Sequence, residues 1–165
     1  MTEKNKILSR QTAEKKLRRM ALEVAEKNYG KNHLILIGIK DNGSVIARKI
    51  AAYLEETGIS QITVIDLSIN KKNPGTITLS EPIDFNNKVI ILIDDVANSG
   101  RTMLYALKPL LEQLPQKIQT LALVERTHKQ FPIAVDFVGI SVSTTLQENI
   151  VVEIEENEIT GAWMR

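Results

Sequence analysis

V-I-I-L-I-D-D-V-A-N-S-G-R-T, residues 89–102, is the stretch on which the fold turns. Its apolar half, Val89–Ile93, has the unbroken pattern of a strand covered on both faces. Two adjacent carboxylates, Asp94 and Asp95, follow at the strand's end. A small loop carrying Ser99, Gly100 and Thr102 then opens a helix over 101–114, and Pro109 inside it predicts a kink. A loop of this kind presents unpaired N–H groups and the positive end of a dipole, which suits an anion. Gly100 allows close backbone approach or a positive φ, and Ser99 and Thr102 add hydroxyl donors. Two carboxylates beside a phosphate would repel it, so they must meet something else. Vicinal sugar hydroxyls donate hydrogen bonds and fit that part. The string therefore points to a phosphorylated ribose, with its phosphate on the loop and its diol on the acids. The competing reading is an Asp-Asp turn with Ser99 as a helix N-cap.

Outward from this stretch, the chain alternates. Residues 11–28 have helical periodicity through Leu17, Met20, Ala21, Val24 and Ala25, with Ser9 or Thr12 placed to cap and Gly30 to terminate. Leu34–Ile39 reads as a buried strand, 38–43 as a turn, and 44–56 as a second amphipathic helix. A strand over 62–69, an exposed loop NKKNPG over 70–75, a short strand over 76–79 and a linker over 81–87 lead back to residue 89. Beyond the third helix come strands over 117–124, 134–142 and 150–154, with 125–132 polar and the tail from 155 unassigned. Buried strands alternating with helices specify an α/β fold with a mainly parallel sheet flanked by helices. Ligands of such sheets bind beyond the carboxyl ends of the strands, here just after Ile39, Ile69, Ile93 and Val124.

Composition narrows the function. The 165 residues are 43% hydrophobic and 25% charged, which suits one globular domain spanning 1–165. Twenty-one Lys and Arg against 20 Asp and Glu give a net charge of +1, which excludes a surface that is polycationic throughout. With no Cys, disulfides, thiolate metal sites and Cys nucleophiles are excluded; two His make a His-rich metal site an unsuitable reading. The start, MTEKNKILSR, has no apolar core of a secretory signal, and no apolar run exceeds the length of Val89–Ile93, so no membrane span is expected and a cytoplasmic location is. There is no Walker A and no G-x-G-x-x-G pattern.

The 89–102 string resembles the phosphoribosyl-diphosphate (PRPP) signature of the type I phosphoribosyltransferases. That resemblance implies a family fold with a small hood, Mg²⁺ accompanying PRPP, and Asp94 and Asp95 on the ribose hydroxyls. Val96, Ala97, Asn98, Ser99, Gly100, Arg101 and Thr102 would enclose the 5′-phosphate, and the metal would meet Asp94 and Asp95 through ribose hydroxyls or water. I-L-I-G-I-K-D-N-G-S-V-I-A-R-K-I-A (35–51) and V-E-R-T-H-K-Q-F-P-I-A-V-D-F-V-G (124–139) look like the bacterial pyrimidine-operon attenuator proteins, which double as uracil phosphoribosyltransferases. The likeness spans roughly residues 7–155 and implies at least a dimer. Where the oxopurine enzymes of the family place an Asp and a Lys for the purine, this chain has Asn98 and Glu125. A carboxylate repels a carbonyl oxygen but accepts an imide N–H, which favours a pyrimidine such as uracil, as base or as nucleoside monophosphate. Glu125 is the candidate general base, with Asp95 second; Glu125 reads equally as a partner for Arg126 or a lysine. The family's stacking aromatic aligns near Ile150, which reads as base contact or as core.

Two segments depart from the attenuator pattern. The pyrophosphate loop K-T-R-G is here Lys40-Asp41-Asn42-Gly43, so the fork of an Arg is replaced by an amide and an acid is added. Asp41 reads as a water-mediated metal contact or as part of a plain turn. The lid over 68–78 lacks the Tyr-Arg-Asp-Asp run and keeps Lys71 and Lys72 as its cations, with Pro74-Gly75 as a hinge; a solvated hairpin tip is the alternative. Both departures bear on turnover more than on PRPP binding. RNA binding, which the resemblance also implies, has little support in charge: Lys15, Lys16, Arg18, Arg19 and Lys27 of the first helix alternate with Glu14, Glu23 and Glu26, and no aromatic is interleaved.

Overall fold

The computed structural model describes residues 5–145 and 147–165. A short strand β1 (Asn5–Ser9) runs straight into helix α1 (Arg10–Lys27). Ser9 is the cap: its Oγ accepts from the Thr12 N–H at 3.1 Å. Strand β2 (His33–Ile39), helix α2 (Asn42–Glu55) and strand β3 (Gln61–Ile69) follow, then β4 (Ile77–Leu79), β5 (Val89–Ala97), α3 (Arg101–Ala106) and α4 (Lys108–Leu111). The remaining strands are β6 (Lys117–Arg126), β7 (Phe137–Val142), β8 (Ile150–Glu155) and β9 (Glu158–Met164).

Two sheets result. The larger has the order β4-β3-β2-β5-β6-β7, parallel except for β4, which pairs antiparallel with β3. The smaller is antiparallel, in the order β1-β9-β8. Strand periodicity divides the apolar residues between two faces of the larger sheet. Leu34, Leu36, Val89, Ile91 and Ile93 pack with Leu17, Met20, Ile46 and Ile50 of α1 and α2. Ile35, Ile37, Ile39, Ile90 and Leu92 pack with Met103, Ala106 and Leu110 of α3 and α4. This is why the strands read as continuous apolar runs. Ile150, Val152, Ile159 and Ala162 of the small sheet join the first cluster, so one core supports both sheets.

The sheet and its flanking helices match the expectation; several boundaries do not. The strand expected to stop at Ile93 runs on to Ala97, because Asp94 and Val96 keep pairing with Ala122 and Val124 of β6. The third helix is divided at Leu107 rather than kinked, with Pro109 in the first turn of α4. Proline has no N–H and its ring would clash with the carbonyl four residues back, here Tyr105. The expected turn over 38–43 is shorter, since α2 already begins at Asn42. The unassigned tail forms β9, and the hood comprises β1 from the start of the chain as well as the later strands β8 and β9.

Candidate functional site

The site lies at the carboxyl ends of β2, β3, β5 and β6, as the topology requires. Burial distinguishes the two acids at its centre. Asp94 is 1% exposed, whereas Asp95 keeps 14% of its side chain accessible. Asp94 Oδ1 accepts the Asp95 N–H at 2.9 Å, and Asp95 Oδ1 accepts the Val96 N–H at 2.8 Å. The Lys71 ammonium approaches Asp94 to 3.3 and 3.4 Å and Asp95 to 4.0 Å. Burial pushes the Asp94 carboxyl well above its ordinary value, the negative charge of Asp95 adds to this, and Lys71 offsets only part of it.

Beyond the acids, Val96–Met103 wraps a cavity of about 60 Å³ that is also lined by Asp94 and Lys71. The loop is held from behind. The Ser99 carbonyl accepts the N–H groups of Gln130 and Phe131 at 2.9 and 3.0 Å, and Ser99 Oγ accepts the Arg101 N–H at 3.3 Å. Gly100 turns with φ +87°, and a Cβ there would stand 2.5 Å from Ile133 Cγ2, so glycine is required twice over. The turn thus brings Asp94, Ser99, Gly100 and Thr102 to the lining of one small cavity.

The segment after β2 is placed beside the acids by a backbone contact. A Cβ on Gly43 would lie 2.6 Å from the Ile93 carbonyl oxygen, so the first turn of α2 packs directly on β5. Asn42 Nδ2 then donates to Asp95 Oδ2 at 2.9 Å and to the Val152 carbonyl of β8 at 3.0 Å. Lys40 and Asp41 precede it, with Lys40 exposed, its N–H donating to the Leu67 carbonyl at 2.9 Å, and Asp41 making no side-chain cap of α2. The segment expected as a lid is the connection of the β3–β4 hairpin. Lys71 points back to the acids; Lys72 is exposed, with its N–H on Asn70 Oδ1.

A second cavity, of about 390 Å³, adjoins the first at Asn98 and Ser99 and is bounded by Arg126, His128–Gln130, Thr144 and Thr145. Glu125, in β6 next to the lining residue Arg126, accepts from Lys129 Nζ at 2.7 Å and from Ser141 Oγ at 3.1 Å, which realises the lysine-partner alternative for this residue. Arg126 donates to the Thr145 carbonyl. Ile150 is 7% exposed within the apolar cluster, the packing alternative of its two readings. Thr144 and Thr145 carried no signal in sequence; they sit after β7 in a polar stretch, and only the fold brings them to Asn98. Asn42 is expected in the pyrophosphate loop; its reach to Asp95 is not legible in the sequence.

The chain matches the phosphoribosyl transferase domain family over residues 4–157. It belongs to the phosphoribosyltransferase family. This phosphoribosyltransferase-family chain is 34% identical to the bifunctional protein PyrR of Bacillus cereus, over 96% of its own length and 94% of the relative's. The same identity and coverage hold for PyrR of Bacillus anthracis. Among solved structures, a hypoxanthine-guanine phosphoribosyltransferase from Bacillus anthracis superposes with a TM-score of 0.75 at 16% identity, covering 96% of both chains. A hypoxanthine phosphoribosyltransferase from Staphylococcus aureus superposes with a TM-score of 0.76 at 13% identity, over 95% of this chain and 90% of that one. At these identities the structural likeness establishes a shared type I phosphoribosyltransferase fold. Among the described residues of the family member, no helix is long and apolar enough to cross a membrane.

Among the described residues no cluster of three or more His, Asp or Glu side chains could hold a metal by itself. The adjacent pair Asp94 and Asp95 does fit a Mg²⁺ that keeps several waters and takes its other oxygens from a phosphorylated substrate.

Proposed function

We propose that the protein transfers phosphoribose from PRPP to a nitrogenous base, uracil in preference to a purine, with release of pyrophosphate. The observation that carries this reading is Asp94: a carboxylate buried beside a second carboxylate, on the wall of a small cavity that the loop Val96–Met103 lines. Such an acid is costly to the fold and is accounted for by a ligand that supplies hydroxyl donors and a cation.

The 5′-phosphate takes the loop from Ala97 to Thr102, with the Ser99 and Thr102 hydroxyls donating to it. Asp94 and Asp95 accept from the ribose hydroxyls, which fixes the ring against the end of β5. The bond from the anomeric carbon to pyrophosphate oxygen breaks, a bond to a base nitrogen forms, and the proton on that nitrogen passes to the released pyrophosphate or to water. Positive charge grows on the ring between these events, and the two carboxylates lie where they stabilise it. Mg²⁺, held by Asp94 and Asp95 through water or hydroxyls, would neutralise charge on the departing pyrophosphate. Lys40 and the N–H groups opening α2 would supply the donors for the same group. The base enters the second cavity, with Asn98 at its edge and Glu125 accepting an imide N–H once it exchanges Lys129 or Ser141 for the ligand.

The hairpin connection that carries Lys71 favours a second reading, a nucleotide-sensing regulator that binds RNA and turns over little. A lid this short covers the ribose incompletely, and water exclusion is what turnover needs.

One titration series tests the main reading. Asp94→Asn and Asp95→Asn should each weaken PRPP binding about 10- to 150-fold, since hydrogen bonds to a charged group contribute about 1.5–3 kcal/mol. Free pyrophosphate, which has no ribose, should bind with unchanged or slightly higher affinity. An unchanged ratio of the two affinities would remove the sugar role from both acids. A turnover assay with PRPP and a panel of bases then separates enzyme from sensor; turnover with a purine and with no pyrimidine would overturn the uracil assignment.

A further inference from the structure

Asn42 spends both protons of one amide on two distant segments. It opens α2, and its Nδ2 stands 2.9 Å from Asp95 Oδ2 on β5 and 3.0 Å from the Val152 carbonyl on β8. Asp95 Oδ1 is already engaged by the Val96 N–H at 2.8 Å. The two bonds together leave the carboxylate no free rotation: one oxygen is tied to its own strand and the other to α2. The close approach at Gly43, where a Cβ would meet the Ile93 carbonyl oxygen at 2.6 Å, makes the distance from Asn42 to Asp95 a property of the backbone.

An arginine at this position would carry a charge toward a diphosphate. An amide carries none. It leaves the full negative charge on Asp95, and its two donors are consumed by Asp95 and by the hood rather than by a leaving group. We propose that Asn42 is a positioning residue for the sugar: it holds Asp95 in the orientation that accepts a ribose hydroxyl, and through Val152 it joins that orientation to the seating of the hood on the main sheet. The assignment rests on the PRPP reading above, and it moves residue 42 from the pyrophosphate side of the site to the ribose side.

The test uses the full chain, with Mg²⁺ present, and titrates PRPP and free pyrophosphate calorimetrically into four proteins: wild type, Asn42→Ala, Asp95→Asn and the double variant. Asn42→Ala should lose about tenfold or more in PRPP affinity, the loss of one hydrogen bond to a charged acceptor, and change pyrophosphate affinity less than twofold. The double variant should bind PRPP about as Asp95→Asn does, because Asn42 acts through that carboxylate; a residue that merely supports the fold would give losses that multiply. Far-ultraviolet dichroism of each variant confirms folding, and Asn42→Asp, equal in shape but presenting acceptors to both partners, should lose more than Asn42→Ala. Equal losses for PRPP and pyrophosphate in Asn42→Ala would return the residue to the diphosphate side and overturn the proposal, as would fully multiplicative losses in the double variant. Wild-type protein that takes up no PRPP would instead overturn the parent reading, a result visible before any variant is made.

Discussion

The Lys71 ammonium stands 3.3 and 3.4 Å from the two carboxylate oxygens of Asp94. One partner is almost fully buried and the other is 47% exposed, so the pair is asymmetric. The acid depends on the lysine far more than the lysine depends on the acid. The pair ties the β3–β4 connection to the acids by charge.

Stability and binding should oppose one another at this pair. Asp94→Asn removes a buried charge and should raise the denaturation midpoint at neutral pH while weakening PRPP binding. The sign follows from the raised folded pKa: ionisation of Asp94 costs the folded state more than the unfolded chain. The gain from Asn should be largest above the folded pKa and vanish as pH falls below the ordinary 3.8. Lys71→Met should do the reverse, lowering stability by about 1 kcal/mol, a figure kept small because the ammonium is half in water. Urea denaturation of both variants from about pH 3 to about pH 8 reads both signs and the loss of the gain in acid.

Gly100→Ala should be destabilising by about 1–3 kcal/mol, since alanine at φ +87° is strained and its Cβ meets Ile133. The same change should abolish binding of a nucleoside 5′-monophosphate, because the loop N–H groups lose their aim. Gly75→Ala serves as the control: its nearest neighbour is a side-chain atom at 3.8 Å, and it should shift stability by less than about 0.5 kcal/mol.

A polar network outside the site should govern acid sensitivity. Lys49 donates to Glu14 of α1 at 2.7 Å and to Glu158 of β9 at 2.6 Å, and the Tyr53 hydroxyl donates to Glu14 at 2.6 Å. Burial pushes Glu14 upward, but the hydrogen bonds from Lys49 and Tyr53 outweigh it and hold the carboxyl below its ordinary value. A depressed folded pKa contributes stability that is complete above the unfolded value of 4.5 and is lost as pH falls through the folded one. Glu14→Gln should therefore be less stable than wild type at pH 7 and converge with it in acid. Denaturation midpoints of the two proteins measured down to about pH 3 check the convergence.

The loop hydroxyls give a fourth expectation. Ser99→Ala and Thr102→Ala should each weaken PRPP and nucleoside 5′-monophosphate by about tenfold and leave a free nucleoside unaffected. Equal losses for nucleoside and nucleotide would place the phosphate elsewhere.

The elements legible in sequence were those whose burial is two-sided or whose period is helical. Val89–Ile93 announces a central strand because both faces of it are covered, and α1 and α2 announce themselves through one apolar stripe each. That Asp94 and the loop up to Thr102 share one cavity was legible because they lie in one string. The run of β5 to Ala97 was not, since two carboxylates are poor strand residues and only pairing with β6 keeps them extended. β9 was missed because Gly161 and Ala162 blur its alternation, and β1 because its partner stands at the far end of the chain. The reach of Asn42 depends on how closely α2 packs against β5, which no local pattern encodes.

Pairing of Asn5–Ser9 with Gly161–Met164 has a temporal consequence. The main sheet grows from neighbouring strand–helix–strand units, whereas this pairing closes a segment of about 150 residues and forms late on contact-order grounds. The Val152 carbonyl that Asn42 meets is delivered by that same small sheet. Ligand competence should therefore lag behind assembly of the main sheet: in refolding from urea, helical dichroism should recover in a faster phase than the ability to bind PRPP. During synthesis, the nascent chain would pass through an interval in which it is largely built yet unable to hold its substrate, an interval that ends only when residues 158–164 have left the ribosome.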